Sequence, residues 1–206
     1  SFRKKEQGVL LDRPLDDILG QSSKIRILRF LVKSQAQLNG REIAKNVGLS
    51  HVKAHTALKE LTMQGVVNMR AVGSCLIYWL NEGHFLVKEI IRPAFEKEAG
   101  VFKHIARLIL KEIESPRPLS IILFGSFSKG NSFADSDIDI VIVYPHTKEK
   151  SLITQELSEA EKKVTSLFGN YLSCVPLPID EFRRKLKAKD KFINEIVRTG
   201  KVIYGK

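Results

Sequence analysis

Apolar residues follow two different periods along this chain of 206 residues. Between residues 22 and 64 they recur every three or four positions, which is the spacing of one helical face. After residue 118, short continuous apolar runs bounded by glycine or proline stand between helical stretches, and such runs are typical of strands. The pattern predicts an α+β chain of two domains, with helices dominating the first and a small mixed sheet with flanking helices forming the second.

The first domain is predicted to contain three helices followed by a hairpin. Gly48 suits a left-handed turn between the second and third helices, and Ser50 suits a side-chain N-cap for the third. Gly73 and Ser74 stand at the tip of the hairpin. The predicted elements are a helix that begins near Asp16 or Ser22-Ser23 and ends at Ser34, a break at Asn39-Gly40, helices at 41–47 and 51–64, and strands at 66–70 and 76–80.

A short helix, a glycine turn, a capped helix and a hairpin, in this order, resemble the winged helix-turn-helix domain of bacterial and archaeal transcription regulators. The resemblance covers residues 22–80. It implies that the N-terminal half of the capped helix enters the major groove of DNA, while the hairpin contacts the backbone or the minor groove. A winged helix used only for protein contacts or dimerisation is the alternative. The candidate DNA-binding residues are Ser50, His51, Lys53, Thr56 and Arg70.

The charge distribution favours a polyanionic partner. The chain carries 34 Lys and Arg against 23 Asp and Glu, a formal net charge of +11. Residues 1–70 hold 13 Lys and Arg against 6 Asp and Glu, so the excess is concentrated around the winged-helix pattern. DNA is the partner that the charge and the motif predict together. A basic surface that serves only solubility is the alternative.

Two acidic residues mark the start of a predicted strand in the second domain. Residues 119–124 and 138–144 are apolar runs of strand length on either side of a polar loop. Because side chains alternate between the faces of a strand, Asp137 and Asp139 project from one face and Ile138 points into a core. Two carboxylates held this close repel each other. Mg²⁺ would relieve the repulsion, since it prefers one or two carboxylates plus phosphate oxygens.

The loop before this pair supplies groups suited to phosphate. Gly125 permits close approach of a ligand to the backbone. Ser126 offers a hydroxyl and an N–H, which faces an anion if a helix begins there. Lys129 adds a cation. A phosphate cradle opposite a metal-binding carboxylate pair is the equipment for phosphoryl or nucleotidyl transfer, and a polar turn with merely solvated acids is the alternative.

The glycine–serine pair, the gap of ten residues and the two acids one residue apart resemble the signature of the minimal nucleotidyltransferases of the DNA polymerase beta superfamily. Gly130 also fits this signature. The resemblance implies a small α/β fold that binds a nucleoside triphosphate, ATP first among the candidates, with two Mg²⁺ ions, and transfers a nucleotide to a hydroxyl. The implied phosphate-binding residues are Gly125, Ser126, Lys129 and Ser136, and the implied catalytic metal ligands are Asp137 and Asp139.

One acid that the resemblance calls for is missing. Active members of this superfamily usually carry a third carboxylate on a neighbouring strand, and the matching run 171–179 contains no acid. Asp180 and Glu181 lie beyond this run, and Asp135 lies on the loop before the pair. Two hypotheses remain open. One is an enzyme that modifies a protein (a partner toxin is one option), a small molecule or RNA; the other is a DNA-binding regulator that senses a nucleotide without turnover.

The end of the chain is predicted to alternate helices and strands. Pro176 and Pro178 restrict the run 171–179 to an edge of the sheet. Asp180 is expected to cap a single basic last helix, and Leu167 is expected to point inward from the helix before it. The remaining predicted elements are a helix at 152–168 and a closing strand at 201–204.

Four segments organise the chain in this interpretation: a basic lead-in at 1–15, the winged helix-turn-helix at 16–84, a helical linker at 85–115 and the nucleotidyltransferase domain at 116–206. The apolar stripe of the linker suits a core as well as pairing with a second copy, so a homodimer is one candidate assembly. Cys75 and Cys174 are expected to be buried free thiols. Free thiols fit a reducing compartment, so a cytoplasmic protein is expected. The sequence has no apolar run of 18 residues and no signal-peptide pattern, so no membrane partner is expected.

Overall fold

The computed structural model describes residues 8–9, 11–113, 117–145 and 150–205, without the side chains of 150–152. The chain forms two compact units that divide between Ala99 and Gly100. This division falls within 85–115, the stretch expected to link two domains. Each unit has an apolar core of its own, and the two-domain α+β class is confirmed.

The N-terminal unit is a winged helix-turn-helix. Its elements are α1 (Pro14–Leu19), α2 (Ser22–Ser34), β1 (Leu38–Asn39), α3 (Gly40–Val47), α4 (His51–Met63), β2 (Val67–Val72), β3 (Cys75–Leu80), a π-helical turn (Val87–Ile91) and α5 (Arg92–Ala99). Strands β2 and β3 form an antiparallel wing, and β1 pairs with the other edge of β3. The apolar faces of α2, α3 and α4 meet in the core, where Ile27, Ile43 and Leu58 are fully buried.

Local signals fix the ends of the two central helices. Asn39 and Glu42 form a capping box at the start of α3, so the break expected at Asn39-Gly40 is the point where this helix begins, one residue before its predicted start. Gly48 ends α3 with φ +63°. The Ser50 hydroxyl oxygen accepts a hydrogen bond from the Lys53 N–H at 3.3 Å, which confirms the predicted cap of α4.

A buried lysine joins three helices of this unit. Lys24 on α2 donates to the carbonyl oxygen of Asp17 on α1 at 2.6 Å and pairs with the Glu60 carboxylate on α4 at 2.7 Å. Its side chain is only 4% exposed, so these two partners replace most of its water. The helix expected to end at Ser34 is α2, which begins at the second of its two predicted starts, and a separate helix α1 precedes it. Lys24 ties both helices to α4.

The C-terminal unit is a four-stranded mixed sheet with helices on both faces. Its elements are α6 (Val101–Glu112), β4 (Ser120–Leu123), α7 (Gly125–Lys129), β5 (Ile138–Tyr144), α8 (Lys150–Phe168), β6 (Leu172–Pro178), α9 (Ile179–Lys187), α10 (Lys191–Thr199) and β7 (Lys201–Gly205). The strand order is β6-β5-β4-β7, with β5 parallel to β6 and the other pairs antiparallel. The edge position predicted for the proline-bearing strand is confirmed.

The two faces of β5 serve two cores. Ile138, Ile140 and Ile142 are buried with residues of α6 and α8 on one face. Val141 and Val143 are buried on the other face, with residues of α10 and β6. Because side chains alternate, Asp139 belongs to the second face. The alternation predicted from the sequence is confirmed.

The basic last helix is two helices, which corrects the prediction of one. Lys189 has a left-handed φ of +55°, and the Asp190 carboxylate accepts a hydrogen bond from the Ile193 N–H to cap α10. Asp180 is not a cap, because it lies in the first turn of α9, whose cap position is Pro178. Leu167 is 61% exposed, so its predicted inward orientation is also wrong. The buried stripe of α8 consists of Ile153, Leu157, Ala160 and Val164.

The two cysteines differ from each other in their environments. Cys75 is exposed, which corrects the expected burial, because β3 begins at the tip of the wing and its first residues lie outside the core. Cys174 is partly buried, and burial together with the Glu161 carboxylate raises the pKa of its thiol. Within the described ranges, no helix has the length and apolar character needed to cross a membrane.

Candidate functional site

Gly125 and Asp139 meet where β4 turns into α7. Gly125 has φ +71°, a left-handed conformation that glycine adopts readily. A Cβ atom on this residue would lie 2.3 Å from Oδ2 of Asp139, so the carboxylate occupies the space of any larger side chain. The N–H of Phe124 donates to the carbonyl oxygen of Asp139 at 2.9 Å and fixes the turn beside β5. The glycine turn after β4 therefore lies against the acidic pair at the start of β5.

The acidic pair is electrostatically unfavourable in the free protein. Asp139 is half-buried and Asp137 is exposed. Burial raises the pKa of Asp139, and repulsion from the Asp137 carboxylate raises this pKa further. The donor set consists of carboxylate oxygens, which suits Mg²⁺. The described residues contain no group of three His, Cys, Asp or Glu side chains able to hold a metal, so Mg²⁺ would need oxygens from a ligand to complete its shell.

Ser126 lies in the first turn of α7, because this helix begins at Gly125. The first turn of a helix leaves backbone N–H groups without partners in the helix, and no side chain caps α7. The Ser128 hydroxyl donates to the carbonyl oxygen of Gly125 at 2.9 Å and stabilises the turn. The backbone at Gly125 and Ser126 thus presents N–H groups beside the carboxylate pair.

Lys129 is engaged with an acid that sequence inspection missed. Its ammonium group contacts the Glu195 carboxylate on α10 at 2.5 Å. This contact lowers the pKa of the Glu195 carboxyl. The two residues are 66 positions apart, so no local pattern indicates the pair. A phosphate group would have to compete with Glu195 for Lys129.

Ser136 helps to hold the loop in front of the acidic pair. Its hydroxyl oxygen accepts a hydrogen bond from the Phe133 N–H at 2.8 Å, and its own N–H donates to the Phe133 carbonyl oxygen at 3.1 Å. The Asn170 side chain donates to the carbonyl oxygens of Ala134 and Ser136 at 2.9 and 3.0 Å. Asn170, which the sequence analysis did not single out, therefore ties this loop to the start of β6.

The strand beside the pair carries a serine where a third acid would face the site. In the parallel register of β5 and β6, Ser173 is the partner of Asp139. Asp180 and Glu181 follow the opposite end of β6, where Pro178 pairs with Tyr144. Ser173 and Pro178 are five positions apart along the strand, which is roughly 16 Å. Neither acid reaches the pair, and Asp135 is exposed on the loop.

The candidate DNA-binding residues of the N-terminal unit are all exposed. The rings of His51 and His55 lie parallel on α4, with centroids 6.4 Å apart. Arg70 donates to the Gln37 side chain at 3.0 Å, and its guanidinium lies 5.8 Å from the centre of the Trp79 ring on the wing. The other four candidates, Ser50, His51, Lys53 and Thr56, lie at the start of α4 and in its first two turns.

A groove of about 410 Å³ separates the start of α4 from the wing. Arg41, His51 and His55 line one side, and Ser74 and Cys75 line the other. The start of α4 and the tip of the wing, which the winged-helix pattern assigns to DNA, thus open onto the same surface.

Comparison with known protein families matches most of the C-terminal unit. A family model described as a nucleotidyltransferase domain matches residues 105–200. No curated protein matches the chain.

Three similar solved structures each align with about half of the chain. A toxin–antitoxin complex with AMP-PNP shares 26% identity at a TM-score of 0.39, covering 51% of this chain and 73% of that one. A mutant of the MntA-HpeT toxin–antitoxin complex shares 24% identity at 0.38, with the same coverage. A homodimeric winged helix-turn-helix DNA-binding domain from Mycobacterium bovis shares 22% identity at 0.35, covering 48% of this chain and 86% of that one.

Proposed function

We propose that this chain, whose residues 105–200 match a family model described as a nucleotidyltransferase domain, transfers a nucleoside monophosphate from a nucleoside triphosphate, ATP first, to a hydroxyl acceptor. The observation that carries the proposal is the contact between Gly125 and the Asp139 carboxylate. It joins a backbone turn suited to phosphate with an acidic pair suited to Mg²⁺.

In the proposed reaction the acceptor oxygen attacks the α-phosphorus, the bond to the bridging oxygen breaks, and pyrophosphate leaves with the electron pair. The acceptor proton passes to solvent or to a nearby base. The backbone of Gly125 and Ser126 holds the terminal phosphates, and Asp137 and Asp139 supply the metal ligands. Bound Mg²⁺ would neutralise the negative charge that develops on the phosphates.

Lys129 and Ser136 have secondary parts in this proposal. Lys129 exchanges its ion pair with Glu195 for a phosphate oxygen when the nucleotide binds. Ser136 keeps the loop closed before Asp137 through its hydrogen bonds to Phe133. The acceptor is a hydroxyl of a protein, with a partner toxin as one option, of a small molecule or of RNA.

The N-terminal unit is proposed to bind DNA through α4 and the wing. Its support is the exposure of all five candidate residues and the basic excess of residues 1–70. Lys53 and Arg70 contact phosphate in this proposal, while His51 and Thr56 face the major groove.

A second candidate function is a nucleotide-sensing regulator without turnover. It is favoured by Ser173, which stands beside Asp139 at the position where a carboxylate would assist the transfer. In this case the site binds the nucleotide with Mg²⁺ but releases no pyrophosphate.

Incubation of the full chain with α-labelled ATP, Mg²⁺ and candidate acceptors separates the two functions. Transfer of label that is lost in Asp137→Asn and Asp139→Asn supports the enzyme. Asp135→Asn is the matched control, since it removes an exposed acid of the same loop. Tight ATP binding without pyrophosphate release supports the sensor, and an equal loss of transfer in the control variant counts against the assigned pair.

A further inference from the structure

Two aromatic side chains stand exposed near the acidic pair. Phe133 is 77% exposed and Tyr171 is 59% exposed. Neither takes part in the ring contacts found within the described residues. Aromatic side chains bury large areas when they have a partner, so two of them left open beside a site indicate a ligand with an apolar face.

Tyr171 immediately precedes β6 and lies beside the acidic pair. Its carbonyl oxygen accepts a hydrogen bond from the Ile138 N–H at 2.8 Å, which makes it the neighbour of Asp137 in the parallel ladder. Val175 and Leu177 of β6 belong to the core on the Asp139 face. Because strand side chains alternate, the ring of Tyr171 is placed on that same face.

Phe133 is held close to this position by a polar network. Its backbone exchanges two hydrogen bonds with Ser136, and the Asn170 side chain donates to the carbonyl oxygens of Ala134 and Ser136. Asn170 immediately precedes Tyr171 in the chain. The segments that carry the two exposed rings are therefore bonded to each other.

The candidate groups lie side by side at the same end of three neighbouring strands. Gly125 follows β4, Asp139 lies at the start of β5 and Tyr171 lies just before β6. Adjacent strands are about 4.8 Å apart, so Tyr171 stands roughly 10 Å from the glycine turn. A nucleotide with its terminal phosphates at Gly125 extends past the acidic pair toward this tyrosine.

We propose that Tyr171 and Phe133 form a stacking subsite for the base of the nucleoside triphosphate. The inference rests on the proposed function, since it assumes that the phosphates lie at Gly125. Every nucleobase has a π face, and stacking on aromatic side chains tolerates different bases. The subsite therefore accepts ATP, GTP, CTP and UTP with affinities that lie within roughly tenfold of each other.

Calorimetric titration of the full chain with Mg²⁺ tests the subsite, using ATP and inorganic tripolyphosphate as two ligands. Tyr171→Ala and Phe133→Ala are each expected to weaken ATP binding on the order of tenfold while leaving tripolyphosphate binding unchanged. Tyr171→Phe retains a stacking ring and keeps the affinity for ATP. Phe85→Ala is the matched control, because Phe85 is 69% exposed in the N-terminal unit.

The outcomes distinguish the subsite from the site it extends. Unchanged ATP affinity in Tyr171→Ala and Phe133→Ala overturns the subsite and leaves the phosphate site standing. Equal weakening of ATP and tripolyphosphate also overturns it, because the rings would then support the fold of the phosphate site. A wild-type chain that binds neither ligand overturns the proposed function and the subsite together.

Discussion

At the scale of single residues, Gly125 is the position on which the site depends most. Its left-handed φ and the carboxylate 2.3 Å from a Cβ position exclude other residues for two separate reasons. Gly130, on the same loop, has φ +74° but no atom within 4 Å of a Cβ position. Substitutions at the two glycines therefore distinguish the effect of backbone strain from the effect of the clash with Asp139.

Gly130→Ala is expected to destabilise the chain by roughly 1–2 kcal/mol, because alanine is strained in a left-handed backbone. Gly125→Ala is expected to destabilise it by at least as much, because its methyl group also meets the Asp139 carboxylate. Only Gly125→Ala is expected to lose nucleotide binding, since only its methyl group displaces the Asp139 carboxylate. Thermal unfolding and ATP titration of both variants measure the two effects. Loss of ATP binding in Gly130→Ala as well would show that the strain, and not the clash, disables the site.

Asp139 is expected to contribute unfavourably to stability in the absence of a metal. Burial and Asp137 raise its pKa in the folded chain. The folded state then holds the proton more tightly than the unfolded state does, so stability falls as the pH rises from the ordinary Asp value through the raised one. Asp139→Asn removes this loss and is expected to raise Tm by a few °C at pH 7.

The gain in Tm should shrink as the pH is lowered toward 4, where protonation of Asp139 relieves the wild type as well. Calorimetric melts at both pH values, without Mg²⁺, measure the difference. Asp135→Asn serves as the exposed control. A Tm of Asp139→Asn at or below that of the wild type at pH 7 would contradict the unfavourable placement.

At the scale of elements, periodicity predicted most of the fold because burial imposes it. The bounds of β5 and the capped start of α4 follow from alternation and from Ser50. The division between α9 and α10 was missed because Lys189 adopts a left-handed φ, and no glycine marks this turn in the sequence. Ser173 could be assigned only once the parallel register of β6 was known.

Partners distant in sequence could not be predicted. The ion pair of Lys129 with Glu195 and the bonds of Asn170 to the loop depend on how the chain returns to the sheet edge. The sequence therefore predicted the acidic pair and the glycine turn, but it did not predict the groups that surround them.

The capped start of α4 allows helix stability and DNA contact to be separated. Ser50→Ala removes the cap and is expected to destabilise the N-terminal unit by about 0.5–2 kcal/mol. Ser50→Asp keeps a cap and suits the helix N-terminus, but it places a negative charge at the proposed DNA surface. Denaturant unfolding and a DNA titration of both variants test this.

Ser50→Asp is expected to unfold like the wild type and to bind DNA more weakly. Ser50→Ala is expected to unfold more easily than the wild type and to lose less DNA affinity than Ser50→Asp, since it removes a neutral hydroxyl group and adds no negative charge. Equal DNA affinity of Ser50→Asp and wild type would place the start of α4 away from the phosphate backbone.

At the scale of the whole molecule, the net charge of +11 predicts an anionic partner whose binding weakens as the salt concentration rises. Lys53→Ala is expected to weaken DNA binding on all sequences and to reduce the slope of log K against log salt by about 1. Lys88→Ala is the matched control, because Lys88 is exposed and pairs with Glu89 outside α4 and the wing. Fluorescence anisotropy over a salt series measures both slopes, and a slope that Lys53→Ala leaves unchanged would remove α4 from the interface.

The central claim is that the chain binds a nucleoside triphosphate between the glycine turn after β4 and the acidic pair at the start of β5. Titration calorimetry of ATP into the full chain, with Mg²⁺ and then with EDTA, tests it most directly in wild type and Asp139→Asn. We expect one ATP per chain with Mg²⁺ in the wild type, and binding that is lost on chelation and in the variant. ATP binding of equal strength in all of these samples would contradict the claim.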